Sequence, residues 1–174
     1  MDEKELLSEY RKTISGLILH KSEAPIFPKA DSCVGIVLEE ILKSAKSSIE
    51  ILINHNSISY FTDSIRQILR EKRNAISATR FCVMSTIAVA DPDLSQWNGI
   101  PLCVLQSEMR QAMGSLSFLL VDAEKLIVFG STPPRVAAFP FSSDGIAKNC
   151  ESFFGSLREA SKFDDTEANE EDPK

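Results

Sequence analysis

The stretch from Leu116 to Ser131, LSFLLVDAEKLIVFGS, constrains this chain more than any other part of it. Two apolar runs, each short enough to be a strand, flank Asp122-Ala123-Glu124-Lys125. The unit reads strand, turn, strand, and the remaining chain has to supply sheet neighbours and a cover for it. Asp122 is read as a turn residue, because an ionised carboxylate accepts backbone hydrogen bonds well. On that reading Asp122→Asn is tolerated, while Asp122→Ala costs about 1–2 kcal/mol.

Helical periodicity surrounds this unit. Leu6, Leu7, Tyr10, Ile14, Leu17 and Ile18 recur at spacings of three and four, which predicts an amphipathic helix over residues 3–19 that needs a partner surface. Pro25 and Pro28 then mark residues 20–32 as a linker. A stripe of Val34, Val37, Leu38, Ile41, Leu42 and Ala45 predicts a second helix, followed by the strand SIEILIN. Ile58, Phe61, Ile65, Ile68 and Leu69 predict a third helix, and TRFCVMST a further strand. Residues 90–99 are turn chemistry in which Trp97 pins the loop, IPLCVLQS is another short apolar run, and a closing helix covers 144–162. The fold class expected is α/β, a mixed sheet flanked by helices.

Of 25 acidic residues, six fall in the last eleven positions, against a net charge of −6 for the whole chain. The body is therefore close to neutral. That excludes holding nucleic acid or anionic lipid by bulk electrostatics, and residues 164–174 read as a disordered acidic tail. The run Arg70-Glu71-Lys72-Arg73 reads as a solvated helix end favoured by the helix dipole. Cys33, Cys82, Cys103 and Cys150 are widely spaced without a C-x-x-C pair, as in a reduced, cytoplasmic protein. No apolar run approaches the ~20 residues of a membrane span, so no membrane association is expected. Two histidines and scattered cysteines show no ligand spacing, so neither metal nor cofactor is expected. Gly114 and Gly130 fit no phosphate-loop pattern.

The order of elements from Leu38 to Lys162 resembles one half of the phospholipase D-like fold. ILKSAKSSIEILIN matches a helix ending in Ala-Lys before the first strand. LSFLLVDAEKLIVFGS matches the strand, aspartate, turn, strand and Gly-Ser ending. Active members of that family carry H-x-K, four residues, D, and then G-S-x-N. With Asp122 on the family aspartate, Ser115 stands at the histidine and Ser117 at the lysine. Gly130 and Ser131 are kept, and Pro133 replaces the asparagine. A serine without an adjacent base supplies neither the nucleophile nor the cation.

FPFSSDGIAKNCESFFGSLREASKF further resembles the closing segment of effector domains in archaeal TrmB-type and related winged-helix transcription regulators, with Ser143 or Asp144 capping the helix. The resemblance implies a catalytically silent single half: residues 1–33 as N-terminal helix and linker, residues 34–163 as the domain. It implies a non-catalytic ligand-sensing or dimerising regulatory role linked to transcription, a homodimer, and no direct nucleic-acid binding, since residues 1–33 are too short for a winged helix. The former catalytic hollow becomes a pocket for a small polar ligand, lined by Asn54, His55, Asn56, Ser115, Ser117 and Ser131, with Asp122 and Gly130 structural. The alternatives are a divergent phosphodiesterase or nuclease using His55, including a Ser115-His55-Asp122 triad, and a purely structural interaction domain.

Overall fold

The computed structural model describes residues 2–88 and 90–168 of the chain. In chain order the elements are α1 (Glu3–Leu19), α2 (Asp31–Lys43), β1 (Ile49–Ile53), α3 (Asp63–Ala75), β2 (Phe81–Ser85), β3 (Leu102–Val104), α4 (Ser107–Met113), β4 (Ser117–Val121), β5 (Lys125–Phe129), β6 (Val136–Phe139) and α5 (Ile146–Ala168). The strands form one sheet in the order β3-β2-β1-β4-β5-β6. β3, β2 and β1 are mutually parallel, whereas β4, β5 and β6 pair antiparallel, with β4 also antiparallel to β1. The expected mixed sheet flanked by helices is thus observed.

Both sheet faces are covered, which explains the unbroken apolar runs of the central strands. Alternation sorts their residues: Ile49, Ile51 and Ile53 of β1 and Leu119 and Val121 of β4 pack with α2 and α3. Leu52, Phe118 and Leu120 point the other way, to Ala147, Phe154 and Leu157 of α5. The partner that α1 needs is α2. Ile14 is buried between them, and Arg11 pairs with Glu39 at 2.7 Å while Ser15 donates to Glu40 at 2.6 Å. An Asp2–Glu5 capping box starts α1. The start of α5 is fixed by Asp144, whose Oδ1 accepts from the Ile146 N–H at 3.1 Å and from the Ser142 hydroxyl at 2.7 Å.

Four features depart from the sequence expectations. The apolar spacing that begins at Ile58 covers a 3-10 turn, Ile58–Tyr60, before α3 itself begins at Asp63; a single tight turn presents the same spacing as a helix face. α4, which begins at the last residue of IPLCVLQS just after β3, was not expected, because it has no buried residue and hence no stripe to read. β6 is too short and alanine-rich to stand out. The linker is not only a linker, because Ile26 exchanges both backbone hydrogen bonds with Ala138 of β6, at 2.8 and 2.9 Å. Trp97 is buried with its ring 5.4 Å from Phe61, pinning its loop as expected. The basic run on α3 does more than sit in solvent: Arg70 donates to Asn98 O, Arg73 to Gly99 O, and Lys72 to the carbonyls of Lys43 and Ala45, all within 2.9 Å. Among the described residues the four cysteines form no disulfide. The acidic segment from residue 164 falls on the last turns of α5 as far as Ala168 and otherwise lies outside the described residues.

Asp122 opens the β4–β5 turn, in which Asp122 and Ala123 both have positive φ and the Glu124 N–H donates to Val121 O at 3.1 Å. Its carboxylate does not serve that turn alone. Oδ1 accepts from the N–H groups of Ser47 (2.7 Å) and Ser48 (3.0 Å) and from the Ser47 hydroxyl (2.9 Å). The Lys46 N–H reaches both oxygens at 3.1 Å, and the Lys125 ammonium meets Oδ2 at 3.1 Å. Burial pushes the carboxyl up, but these donors outweigh it, led by the Ser47 and Ser48 amides, and lower its pKa to about 2.

At the other end of β4, Ser117 is fully buried. Its hydroxyl donates to Leu52 O of β1 at 2.7 Å, and the Ser117 and Ser57 hydroxyl oxygens lie 2.7 Å apart. Ser57 Oγ also accepts from the Asn54 N–H at 3.1 Å and lies 3.3 Å from Asn54 O, so the two hydroxyls and the Asn54 backbone form one buried network.

Two outcomes follow for stability. Because the folded pKa of Asp122 is depressed, its contribution is present above the unfolded value near 3.8 and disappears as pH falls towards 2; chemical denaturation should show a loss of about 2 kcal/mol over that window. Asp122→Ala should abolish this part of the pH dependence. Asp122→Asn is no longer expected to be tolerated, since both oxygens accept and the amide would turn a donor towards Lys46 N–H or Lys125; it should cost about 1–3 kcal/mol at neutral pH. Ser117→Ala should destabilise by about 1–3 kcal/mol, whereas exposed Ser115→Ala should change stability by less than about 0.5 kcal/mol.

Candidate functional site

β1 and β2 are parallel, so their C-terminal ends lie together at one edge of the sheet, where α/β folds place their ligand crevices. There the chain leaving β1 at Asn54 meets the chain approaching β4 at Ser115. A hollow of about 260 Å³ results, lined by Asn54, His55, Asn56, Thr86, Arg110, Gly114 and Ser115. Four of the six residues expected from the sequence are brought together. Thr86, leaving β2, and Arg110, on α4, complete the wall; no spacing in the sequence points to either.

The lining residues are not equally available. Asn54 is buried and engaged on every side: Nδ2 donates to Ser115 O at 2.9 Å and Leu116 O at 3.4 Å, and Oδ1 accepts from the Asn56 N–H at 2.9 Å. It shapes the hollow and offers it little. His55 and Ser115 are exposed, Asn56 and Arg110 half-buried. Arg110 gives one N–H to Leu105 O at 3.2 Å, and its remaining donors are not bound to protein among the described residues. Ser117 is sealed in the bond to Leu52 behind the hollow. Ser131 follows β5 at the same sheet end but is not part of the lining. Gly130 closes the β5–β6 loop by donating to Arg135 O at 2.7 Å.

A Ser115-His55-Asp122 triad is excluded by this geometry. Ser115 precedes β4 and Asp122 follows it, so the length of the strand, roughly 17 Å at 3.4 Å per residue, separates them. Asp122 is in any case occupied by the residues before β1.

Beside the hollow, His55 joins Asp91 and Asp93, whose ligand atoms all lie within 4.8 Å of one another; this is the grouping of metal-ligand type found among the described residues. Sequence spacing did not suggest it because the histidine leaves β1 while the two aspartates stand within the loop after β2, at the start of its 3-10 turn Pro92–Trp97. An imidazole with two carboxylates suits a borderline divalent cation such as Zn²⁺ or Mn²⁺. All three side chains are at least partly exposed, and Asp91 Oδ1 already accepts from the Asp93 N–H at 3.0 Å.

Among the described residues no helix is long and apolar enough to cross a membrane. No protein-family model matches the chain, and no curated protein matches it. Among solved structures, the chain is similar to TrmBL2, an archaeal chromatin protein described as showing a novel mode of DNA binding. The identity is 12%, the TM-score 0.45, and the match covers 91% of this chain and 61% of that one, so the chain spans less than two thirds of its neighbour's length. The neighbour is described as binding DNA, so the expectation of no direct nucleic-acid binding, which rested on the near-neutral charge of the body and on residues 1–33 being too short for a winged helix, is withdrawn. Net charge reports the bulk field and not where individual cations are placed on a surface.

Proposed function

We propose that this chain is a non-catalytic, phospholipase D-like regulatory domain that senses a small polar ligand in the hollow between β1 and β4. The observation that carries the proposal is the composition of that hollow. Residues 54–56 and 115, far apart in the chain, converge on it with Thr86 and Arg110, while the positions of the family's histidine and lysine are held by an exposed serine and a buried one. Ser117, bonded to Leu52 O, presents no group to a substrate. His55 has no hydrogen bond or ion pair among the described residues that would orient it as a nucleophile.

The chemistry of the wall defines the ligand class. Arg110 supplies a cation, Asn56 and Ser115 supply neutral donors and acceptors, and Asp91 and Asp93 stand next to His55. One cation facing nearby carboxylates suits a neutral or singly charged molecule of a few heavy atoms better than a polyanion. Sugars, nucleosides and inorganic phosphate span that class.

Hydrolysis of bis(p-nitrophenyl) phosphate by the purified protein should stay at background; turnover that disappears in His55→Ala would overturn the non-catalytic reading. In a panel of sugars, nucleosides and phosphate, at least one compound should raise the melting temperature of the wild type, and Arg110→Ala should cancel the rise. If none moves the NMR resonances of Asn56, Thr86 or Arg110 at millimolar concentration, sensing through this hollow is refuted, and the interaction-domain alternative stands instead.

A further inference from the structure

On the α2 side of the sheet, at the same end, a second and larger cavity of about 570 Å³ opens between the segment before α2, the residues after β1 and the β5–β6 loop. It is lined by Phe27, Pro28, Lys29, Asp31, Val34, Tyr60, Pro133, Pro134, Arg135 and Val136. Its volume falls within the range of small-molecule sites, about 300–1,000 Å³. Val34 and Val136, both buried, give it an apolar floor. Its walls are part of the fold: the Ile26–Ala138 bridge ties down the chain leading to Phe27, and the Tyr60 ring is stacked on Phe129 with centroids 5.8 Å apart.

The polar groups at this cavity are left without protein partners. Neither Lys29 nor Arg135 makes a side-chain hydrogen bond or ion pair among the described residues, and both are exposed. The first turn of α2 opens here as well. Its N-cap is Ala30, which has no side chain to accept from the turn's N–H groups, so the positive end of the helix dipole is unopposed apart from Asp31. Two cations and a helix N-terminus against one carboxylate leave a net positive field over an apolar, aromatic surface.

We propose that this cavity binds an organic monoanion with a flat apolar body, an aryl carboxylate in the simplest case. The charge is met by Lys29, Arg135 and the start of α2, and the body lies against Tyr60, Phe27 and the prolines. A bare inorganic anion leaves the apolar wall uncovered, and a neutral arene leaves the cations unused. The site does not depend on the hollow between β1 and β4, with which it shares no residue.

The test compares naphthoate with naphthamide, matched in shape and differing in charge, by calorimetry and by amide NMR of the full chain. Naphthoate should bind saturably, with shifts at Lys29, Tyr60 and Val136. Arg135→Gln should weaken naphthoate by about tenfold or more and leave naphthamide unchanged, whereas Tyr60→Ala should weaken both. Arg135 and Lys29 are exposed, so their substitution leaves the fold intact. Equal affinity for acid and amide, shifts confined to His55, Thr86 and Arg110, or no saturable binding at several millimolar would each overturn the proposal; the second of these results would still support a ligand in the hollow.

Discussion

The carboxylate of Asp122 is the point at which the two halves of this sheet are held in register. β3, β2 and β1 form a parallel half and β4, β5 and β6 an antiparallel one, and the two halves meet where β1 pairs with β4. At one end of that border the Asp122 carboxylate collects three successive N–H groups from residues 46–48, just before β1. The Asp122 N–H in turn donates to Ser48 O at 3.0 Å. The ammonium of Lys125, also buried, neutralises the charge at 3.1 Å. A buried carboxylate is costly unless its lone pairs are filled and its charge is met, and here both conditions are satisfied. The hairpin and the α2–β1 loop therefore have one mutual arrangement. A one-residue slip of β4 against β1 would empty the carboxylate and turn Leu119 and Val121 to the wrong face.

That register is what brings Ser117 opposite the end of β1. The same pairing that seats Asp122 on Ser47 and Ser48 places the start of β4 next to Leu52, where the Ser117 and Ser57 hydroxyls close the border from the other side. The fold thus uses Ser117 as a strut. A long, charged lysine at this position would have to find room where the serine is fully buried. The identity of this residue is a packing constraint as much as a record of chemistry that is absent.

The parts of the fold legible in the sequence are those that bury a stripe. α2 shows six buried apolar residues and was read directly, as were β1, β2 and the β4–β5 hairpin. α4 buries none and β6 has only four residues, two of them alanine, so neither carries a pattern. The site divides on the same principle. Asn54, His55, Asn56 and Ser115 were found through the resemblance of their flanking strands, which are periodic. Thr86 and Arg110 were not found, because a residue's place in the hollow depends on where a short loop or an exposed helix is carried by the sheet. The role of Asp122 was half legible: its need for backbone donors could be read from the turn, but the donors belong to residues more than seventy positions earlier.

The two ends of the β1–β4 border differ in how their polar groups are satisfied. At the Asp122 end the carboxylate, the ammonium and the three amides answer one another, and Lys21 adds an ion pair to Glu124 at 3.1 Å. At the opposite end the buried groups, Asn54, Ser57 and Ser117, are equally well satisfied, but the outer layer is not. His55, Lys29 and Arg135 have no protein partners among the described residues, and Arg110 uses only part of its fork. Exposed polar groups of this kind are hydrated in the folded and unfolded chain alike, so they contribute little to stability. They are also the groups from which water can be displaced without breaking a bond the fold needs. A border whose buried polar groups are answered at both ends by Asp122, Lys125, Asn54, Ser57 and Ser117, with unpartnered side chains around the hollow at one rim, separates the residues that hold the sheet from those free to meet a ligand.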